Sequence, residues 1–191
     1  MPTLPKTFVT PEQYFQSERT AEYRNEFWKG EVSPMPGVGR RHAALGANWN
    51  GLVWPHLRGG DCRCFTSGLR VQLRAGEFYS YPDFIVVSGD AQFTDRHFDT
   101  LINPTLLVEI LSANTEAYDR GKKAKYYREI PSLQEYLLLS QMEPDAELYR
   151  RDTNGTWRFL DARGWDASIQ LASIHYTLQL RELYENLPPA E

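Results

Sequence analysis

The sequence predicts an α/β (α+β) fold in which a mixed central sheet is flanked by helices. Two apolar runs, residues 84–87 and 106–111, are typical of strands that are buried on both faces. A helical pattern at residues 42–57 precedes them, and a second helical pattern separates residues 106–111 from another apolar run at residues 134–140. With one more strand ahead of residue 84, these segments predict a core in the order αβββαβ.

The N-terminal part of the chain carries capping and turn residues that mark its elements. Thr10 before Pro11 is typical of a helix start and predicts a helix over residues 11–17. The Lys29-Gly30 pair predicts the turn of a hairpin within residues 23–35. A helix and a hairpin are therefore expected before the core begins.

The central part begins with the helix over residues 42–57. Residues 62–73 alternate enough to form one strand with a bend near Gly68. A turn is expected at residues 74–78, and the polar stretch at residues 88–103 is expected to be a loop.

The C-terminal part predicts a β-rich extension of the core. The helix that follows residue 111 is expected to end near Ile130, because Pro131 disfavours helix in the residue before it. The whole chain, residues 1–191, is expected to form one domain. The remaining expected elements are a strand, the two strands of a hairpin and a short helix: residues 134–140, 146–151 with 156–160, and 180–187.

Composition excludes several classes of protein. With 41% hydrophobic and 13% aromatic residues, the chain has the composition of a globular protein and not of a disordered one. The net charge of −4 argues against a generic basic coat for nucleic acid. Cys62 and Cys64 lack a second Cys or His pair and do not form a zinc pattern. Without a signal peptide or a membrane-spanning run, a cytoplasmic protein is expected.

Two acidic residues are candidates for a metal site. Glu109 lies in the middle of an apolar run, where a buried carboxylate must be paired, neutralised or bound to a metal. Asp83 lies at the entrance of the preceding buried strand. If the two strands are neighbours, the carboxylates converge and suit a hard cation such as Mg²⁺ or Mn²⁺. The alternative for Glu109 is a structural ion pair with an internal Arg or Lys.

The following helix adds an ordered row of polar side chains. Asp119, Lys123 and Tyr127 recur every four residues and therefore lie on one helix face. Lys123 is the candidate for stabilising charge in a transition state, with Asp119 holding it and Tyr127 bonding a phosphate or packing. The alternative is a solvated lysine among Lys122, Lys125 and Arg128. If the site is functional, the basic residues of the same helix could meet a phosphate backbone: Arg120, Lys122, Lys125 and Arg128.

Glutamates and histidines elsewhere are weaker candidates. Glu31 is as consistent with an acidic cluster as with a surface position. Glu26 is expected to be a surface or structural residue. His42 and His97 lack ligand-spaced partners and are expected to be structural, although His42 could approach the site from its helix.

The combination of these motifs resembles the Uma2 family of restriction endonucleases, earlier a domain of unknown function and abundant in cyanobacteria. The resemblance covers nearly the whole chain. It rests on eight residues around the two predicted strands and the following helix: Pro82, Asp83, Glu109, Ser112, Thr115, Asp119, Lys123 and Tyr127. The Uma2 family in turn resembles the PD-(D/E)XK nuclease superfamily, which implies a restriction-endonuclease-like core.

The resemblance implies roles for individual residues. Asp83 and Glu109 would bind Mg²⁺ or Mn²⁺, and the backbone carbonyl of Ile110 would be a further ligand. Leu111 stands where the superfamily has its lysine, and in the Uma2 pattern the helix supplies Lys123 instead. Glu31 resembles the glutamate of the family's Gly-Glu motif. Superfamily members are often homodimers, so a homodimer acting on nucleic acid, with DNA as the expected substrate, is implied.

Two hypotheses from different classes follow. The first is a metal-dependent endonuclease that hydrolyses phosphodiester bonds with a metal-activated water. The alternative is a catalytically inactive nuclease-fold module that binds nucleic acid or a protein, which the missing lysine at Leu111 and the acidic net charge favour. A glycosidase built on the two carboxylates is a third, weaker reading. Convergence of Asp83, Glu109 and Lys123 discriminates between them.

Overall fold

The computed structural model describes residues 8–189. The helical segments, in chain order, are α1 Pro11–Thr20, α2 Arg40–Leu57, α3 Glu116–Tyr118, a π-helical segment Asp119–Lys123, α4 Ala124–Tyr127, a 3₁₀ turn Ala172–Ile174 and α5 Leu180–Leu183. The strands up to the centre of the chain are β1 Asn25–Trp28, β2 Glu31–Pro34, β3 Cys62–Thr66, β4 Arg70–Arg74, β5 Phe78–Ser80, β6 Phe84–Ser88, β7 Thr100–Leu101 and β8 Leu106–Leu111. The later strands are β9 Glu135–Ser140, β10 Asp145–Arg151, β11 Trp157–Arg163, β12 Ser168–Leu171 and β13 Tyr176–Gln179.

A six-stranded sheet forms the centre of the molecule. Its strand order is β11-β10-β9-β8-β6-β3, with β8 and β9 parallel and all other neighbours antiparallel. Parallel β8 and β9 need a crossover, and the chain between them supplies the helical segments α3 to α4. The core therefore has the order α2, β3, β6, β8, helix, β9, which confirms the predicted αβββαβ arrangement.

The two faces of this sheet pack against different helices. Val108 and Ile110 point to the face covered by α2, where they meet Trp49. Leu107 and Leu111 point to the opposite face, where they pack with Tyr127 of α4. Side chains alternate along a strand, so Glu109 points to the same face as Leu107 and Leu111. This register places the acid beneath the helix that carries Lys123.

A second sheet of five strands has the order β2-β1-β5-β4-β7. The strand predicted over residues 62–73 was wrong as one element: it divides into β3, in the six-stranded sheet, and β4, in the second sheet. β4 pairs with β5 and β7 of that sheet, and the buried guanidinium of Arg70 bonds Thr100 Oγ1 of β7 at 2.8 Å and Asp99 Oδ1 at 2.9 Å. Alternation along a strand does not reveal which sheet the strand joins.

Other predicted boundaries need smaller corrections. The expected loop at residues 88–103 contains β7, and the expected turn at residues 74–78 is shorter because β4 and β5 extend into it. The predicted helix end near Ile130 moves to Tyr127, and a tight turn closed by Ile130 N to Tyr127 O follows. The β12–β13 pair was not predicted. Within residues 8–189, no helix is both long and apolar enough to cross a membrane.

We call the helical region from Glu116 to Tyr127 the segmented helix, because α3, the π-helical segment and α4 follow one another without a break. The π-helical segment begins at Asp119 and ends at Lys123. Single-turn π segments often occur at functional sites. Both of its end residues are buried, so this turn directs two charged side chains into the protein.

Candidate active site

Glu109 lies at the centre of a buried polar cluster. Its side chain is 6% exposed, and its Oε1 accepts a hydrogen bond from Lys123 Nζ at 3.0 Å and another from Tyr127 OH at 2.8 Å. Both donors bind the same oxygen, so neither of them bonds Oε2. A buried carboxylate with one oxygen left to other partners is suited to bind a ligand.

Lys123 is surrounded by three carboxylates. In addition to Glu109, its Nζ lies 3.1 Å from Glu26 Oε1 and 3.3 Å from Asp119 Oδ1. Its side chain is 6% exposed, so the solvated alternative for this lysine is wrong. Three carboxylates share this one lysine, so the cluster holds more acidic side chains than Lys123 alone can pair.

Asp83 approaches the cluster from the start of β6. Its Oδ2 accepts a hydrogen bond from the Ile110 backbone N–H at 2.7 Å and lies 3.2 Å from His42 Nε2. Both contacts are made by Oδ2, and neither involves Oδ1. The side chain of Asp83 is 15% exposed and lines the same cavity as Glu109.

The Ile110 peptide lies at the point where two strands separate. β6 and β8 pair as far as Phe84 opposite Val108, so Ile110 is beyond the last paired residue on that edge. Its N–H bonds the Asp83 side chain instead of a strand. In a strand the N–H and the C=O of one residue point to the same edge, so the Ile110 carbonyl faces the side on which Asp83 lies.

A cavity of about 580 Å³ opens above the cluster. Its floor contains Asp83, Glu109 and Lys123. One wall is formed by residues 33–39, from the last two residues of β2 to the start of α2, and another is the N-terminal part of the segmented helix. Glu31, also predicted for the site, is exposed and lines this cavity.

Burial governs the protonation of the cluster. Burial raises the pKa of Glu109 well above its ordinary range, and the charges of Asp119 and Asp83 raise it further, against the opposing effect of Lys123. Burial also raises the pKa of Asp119. For Lys123 burial acts to lower the pKa, but the charges of Glu109, Glu26 and Asp119 outweigh it and hold the pKa well above the ordinary range. Lys123 is therefore a permanent cation at neutral pH.

The donor set fits a hard divalent cation better than a closed structural metal site. Among residues 8–189 no group of three or more His, Cys, Asp and Glu side chains has metal-binding geometry, so a site with a complete protein ligand set, as structural zinc requires, does not fit. Mg²⁺ usually keeps several waters and binds through one or two carboxylates. Asp83 and Glu109 meet that requirement, because the bonds described above involve only one oxygen of each carboxylate.

Two residues outside the predicted set of site residues contact the cluster. Glu26, expected at the surface or in a structural role, contacts Lys123 and accepts a hydrogen bond from Ser80 Oγ. His42 does approach the site, and it contacts Asp83. His97 does not line the cavity. Glu26 lies beside buried Phe27 on β1 of the second sheet. The local sequence does not indicate that this strand packs next to the segmented helix.

Comparison with known families identifies the family of the chain. The family model of Uma2, described as "Putative restriction endonuclease", matches residues 11–181. The chain belongs to the Uma2 family. The matched region contains every residue of the polar cluster.

Relatives and a solved structure are similar to the chain over nearly its full length. The uncharacterised protein slr1290 of Synechocystis sp. is 33% identical over 97% of this chain and 96% of its own. A second uncharacterised protein of that organism, sll1609, is 32% identical over 86% and 93%. The crystal structure of a putative nuclease of the DUF820 family from Anabaena variabilis has a TM-score of 0.76 at 18% identity and covers 92% of this chain and 97% of its own. This last likeness confirms the fold, and family membership supports a nuclease.

Proposed function

We propose that this Uma2 protein is a metal-dependent endonuclease that hydrolyses phosphodiester bonds of nucleic acid, with DNA as its substrate. The observation that carries the proposal is the approach of Lys123 Nζ to Glu109 Oε1 at 3.0 Å on the floor of a cavity that Asp83 also lines. The arrangement has the three side chains that such hydrolysis needs: two carboxylates and a lysine.

Asp83 and Glu109, with the backbone carbonyl of Ile110, would hold Mg²⁺ or Mn²⁺, which when bound lowers the pKa of water and polarises the phosphodiester. Lys123, held by three carboxylates, presents a fixed positive charge next to the phosphorus, where negative charge develops. Tyr127 and Asp119 orient Glu109 and Lys123 through the contacts already described. Glu31 contributes negative charge at the cavity wall.

The proposed reaction is the hydrolysis of one phosphodiester bond by one water molecule. A water oxygen forms a bond to phosphorus, and the bond from phosphorus to one ester oxygen breaks. One proton of the water stays on the new phosphate hydroxyl, and the other is transferred to the leaving oxygen. The products are a strand that ends in a phosphomonoester and a strand that ends in a hydroxyl.

Cleavage assays test this function directly. Supercoiled plasmid and single-stranded DNA are incubated with Mg²⁺ or Mn²⁺ and the parent protein, the Asp83→Ala variant or the Lys123→Ala variant. We expect metal-dependent cutting by the parent and none by either variant. Cutting that survives in Lys123→Ala would reject the role of the lysine. A parent protein that binds DNA and never cuts it would support the alternative, an inactive nuclease-fold binding module.

We also propose that the protein is a homodimer. β11 is an end strand of the six-stranded sheet, and Phe159 and Leu160 on it are 52% and 37% exposed. Arg151 N bonds Gln134 O on the β9 side and Gly164 N bonds Pro144 O. In this hydrogen-bonding pattern the N–H and C=O groups of residues 159 and 161 point away from β10, where a second strand can pair with them.

If β11 pairs antiparallel with β11 of a second copy, centred on Leu160, these N–H and C=O groups bond each other. In that register Leu160 lies opposite its own copy and Trp157 lies opposite Arg163. Light scattering after size exclusion tests the pairing: we expect a dimer for the parent and a monomer for Leu160→Lys. A monomeric parent protein would reject the dimer.

A further inference from the structure

The floor of the cavity is poorly accessible. The side chains of Asp83, Glu109 and Lys123 are 15%, 6% and 6% exposed. A phosphodiester must therefore enter the cavity to reach them. A volume of about 580 Å³ lies within the range of small-molecule pockets and is suited to one or two nucleotides.

The cavity wall is apolar above the acidic floor. Residues 33–39 read SPMPGVG, and Val38 in this segment is 62% exposed. Met142, which lines the same cavity, is 51% exposed. Exposed apolar side chains at the mouth of a polar site favour contact with the face of a base, because every base has an apolar face.

The net charge of the chain does not favour binding of an intact duplex. Duplex binding depends on cations that neutralise a row of phosphates. On the segmented helix Arg120 is already paired with Glu116 at 2.8 Å and with Glu147 at 3.1 Å. The net charge of the chain is −4. Inside a duplex the bases are stacked and paired, so moving one nucleotide into a cavity costs a few kcal/mol, whereas an unpaired strand avoids most of this cost.

We propose that the cavity takes an unpaired nucleic-acid strand, with a base against Val38 and Met142 and a phosphate above Asp83 and Glu109. This inference rests on the nuclease function and narrows its substrate to single-stranded regions, gaps and flaps. Negatively supercoiled DNA, which unpairs transiently, is then a better substrate than the same circle when relaxed.

Binding is measured first, because it does not depend on cleavage. A fluorescein-labelled DNA strand is titrated by anisotropy in Ca²⁺, alone and annealed to its complement, and an RNA strand of the same sequence separates DNA from RNA preference. We expect the single strand to bind at least about tenfold more tightly than the duplex. Equal binding of the two forms, or binding of neither, would overturn the proposal.

Two variants with the same charge change locate the contact. Val38→Glu puts a carboxylate on the cavity wall, and we expect it to weaken single-strand binding about tenfold. Val32→Glu is the matched control: Val32 is 39% exposed on β2, but Glu31 and Ser33 line the cavity and Val32 does not. Equal weakening by both variants would reject the proposed wall, and thermal unfolding of both verifies that they fold.

Cleavage separates this inference from the nuclease proposal. With Mg²⁺ the expected order of rates is single-stranded circle, supercoiled plasmid, relaxed plasmid. Rapid cutting of relaxed plasmid would overturn the single-strand inference and leave the nuclease intact. Preferential binding of single strands without any cutting would support the inference and reject the catalytic function.

Discussion

Two neighbouring strands each bury a glutamate, and the two glutamates differ in how their oxygens are used. Glu135, the first residue of β9, is 1% exposed, and both of its oxygens accept hydrogen bonds. Arg150 Nε and Ala172 N donate to Oε1 at 2.7 and 3.0 Å, and Ser173 donates to Oε2 from its N at 2.9 Å and from its Oγ. Glu109 on β8 receives both of its donors on one oxygen and lines a cavity.

The difference is the reason why we assign a structural role to Glu135 and propose a catalytic one for Glu109. Glu135 is fully satisfied and fastens the 3₁₀ turn after β12 to the central sheet. Glu109 shares Lys123 with two other acids, and the bonds from Lys123 and Tyr127 do not involve its second oxygen. Both glutamates are buried, so burial does not separate them. The distinguishing features of a catalytic candidate are an oxygen that is not taken up by hydrogen bonds and a position on a cavity.

The sharpest test of this comparison is Glu109→Gln. We expect metal-dependent cleavage to fall at least about a thousandfold, because a neutral amide replaces one of the two carboxylates that we propose as metal ligands. The melting temperature should stay the same or rise, since the variant no longer buries that carboxylate. Cleavage is measured on plasmid, and unfolding is followed by circular dichroism. Cleavage within about tenfold of the parent rate would contradict the assignment.

Glu135→Ala should have the opposite profile. It leaves Arg150 and two backbone N–H groups of the 3₁₀ turn without their acceptor, so we expect a loss of about 3–5 kcal/mol in the free energy of unfolding. Cleavage per folded molecule should not change. Urea unfolding measures the loss, and Glu135→Gln, which keeps one acceptor oxygen, should lose less. If the free energy of unfolding falls by less than about 1 kcal/mol, Glu135 does not stabilise the contact between the 3₁₀ turn and the central sheet.

Lys123→Met should make stability depend on pH. Burial raises the pKa of Glu109, and Lys123 opposes the rise, so removing the lysine raises that pKa further. The folded variant then holds a proton that the unfolded chain releases above the ordinary glutamate pKa. This contribution is complete at low pH and is lost as pH rises through the folded pKa.

Urea unfolding of Lys123→Met at about pH 5 and pH 8 measures the effect, and each further unit of pKa shift adds about 1.4 kcal/mol to the difference. The double variant Glu109→Gln/Lys123→Met is the control and should lose most of that pH dependence. Equal stability of Lys123→Met at the two pH values would contradict the coupling between the two side chains.

The smallest effect is expected for Tyr127→Phe. The Tyr127 hydroxyl lies 2.8 Å from Glu109 Oε1 and 3.3 Å from Ser80 Oγ, so its loss should cost about 1 kcal/mol and reduce cleavage roughly fivefold. Tyr184→Phe is the matched control, since its hydroxyl bonds the backbone oxygens of Ser140 and Asp145 instead. It should lose stability without losing activity. Equal cleavage rates in the two variants would remove Tyr127 from the site.

Much of the fold could be predicted from sequence because its elements have strong local signals. The apolar run of β8 and the helical row from Asp119 to Tyr127 are long, periodic and adjacent in the chain. The strand predicted over residues 62–73 was wrong because β3 and β4 join different sheets. β4 pairs with β7, where Arg70 lies opposite Thr100, 30 positions later in the chain, so the local pattern around residue 68 does not contain this partner.

By itself the sequence determined which acids and which lysine were candidates: one aspartate before a buried strand, one glutamate in the next apolar strand, and a lysine on the helix that follows. Only the tertiary structure decided that Glu26 joins them and that Glu135 is satisfied elsewhere. Periodicity reports which face of its own element a side chain occupies. The contacts of Glu26 with Lys123, 97 positions later in the chain, and of Glu135 with Ser173 depend on how the sheets and helices pack, and this is settled only when the whole core is assembled.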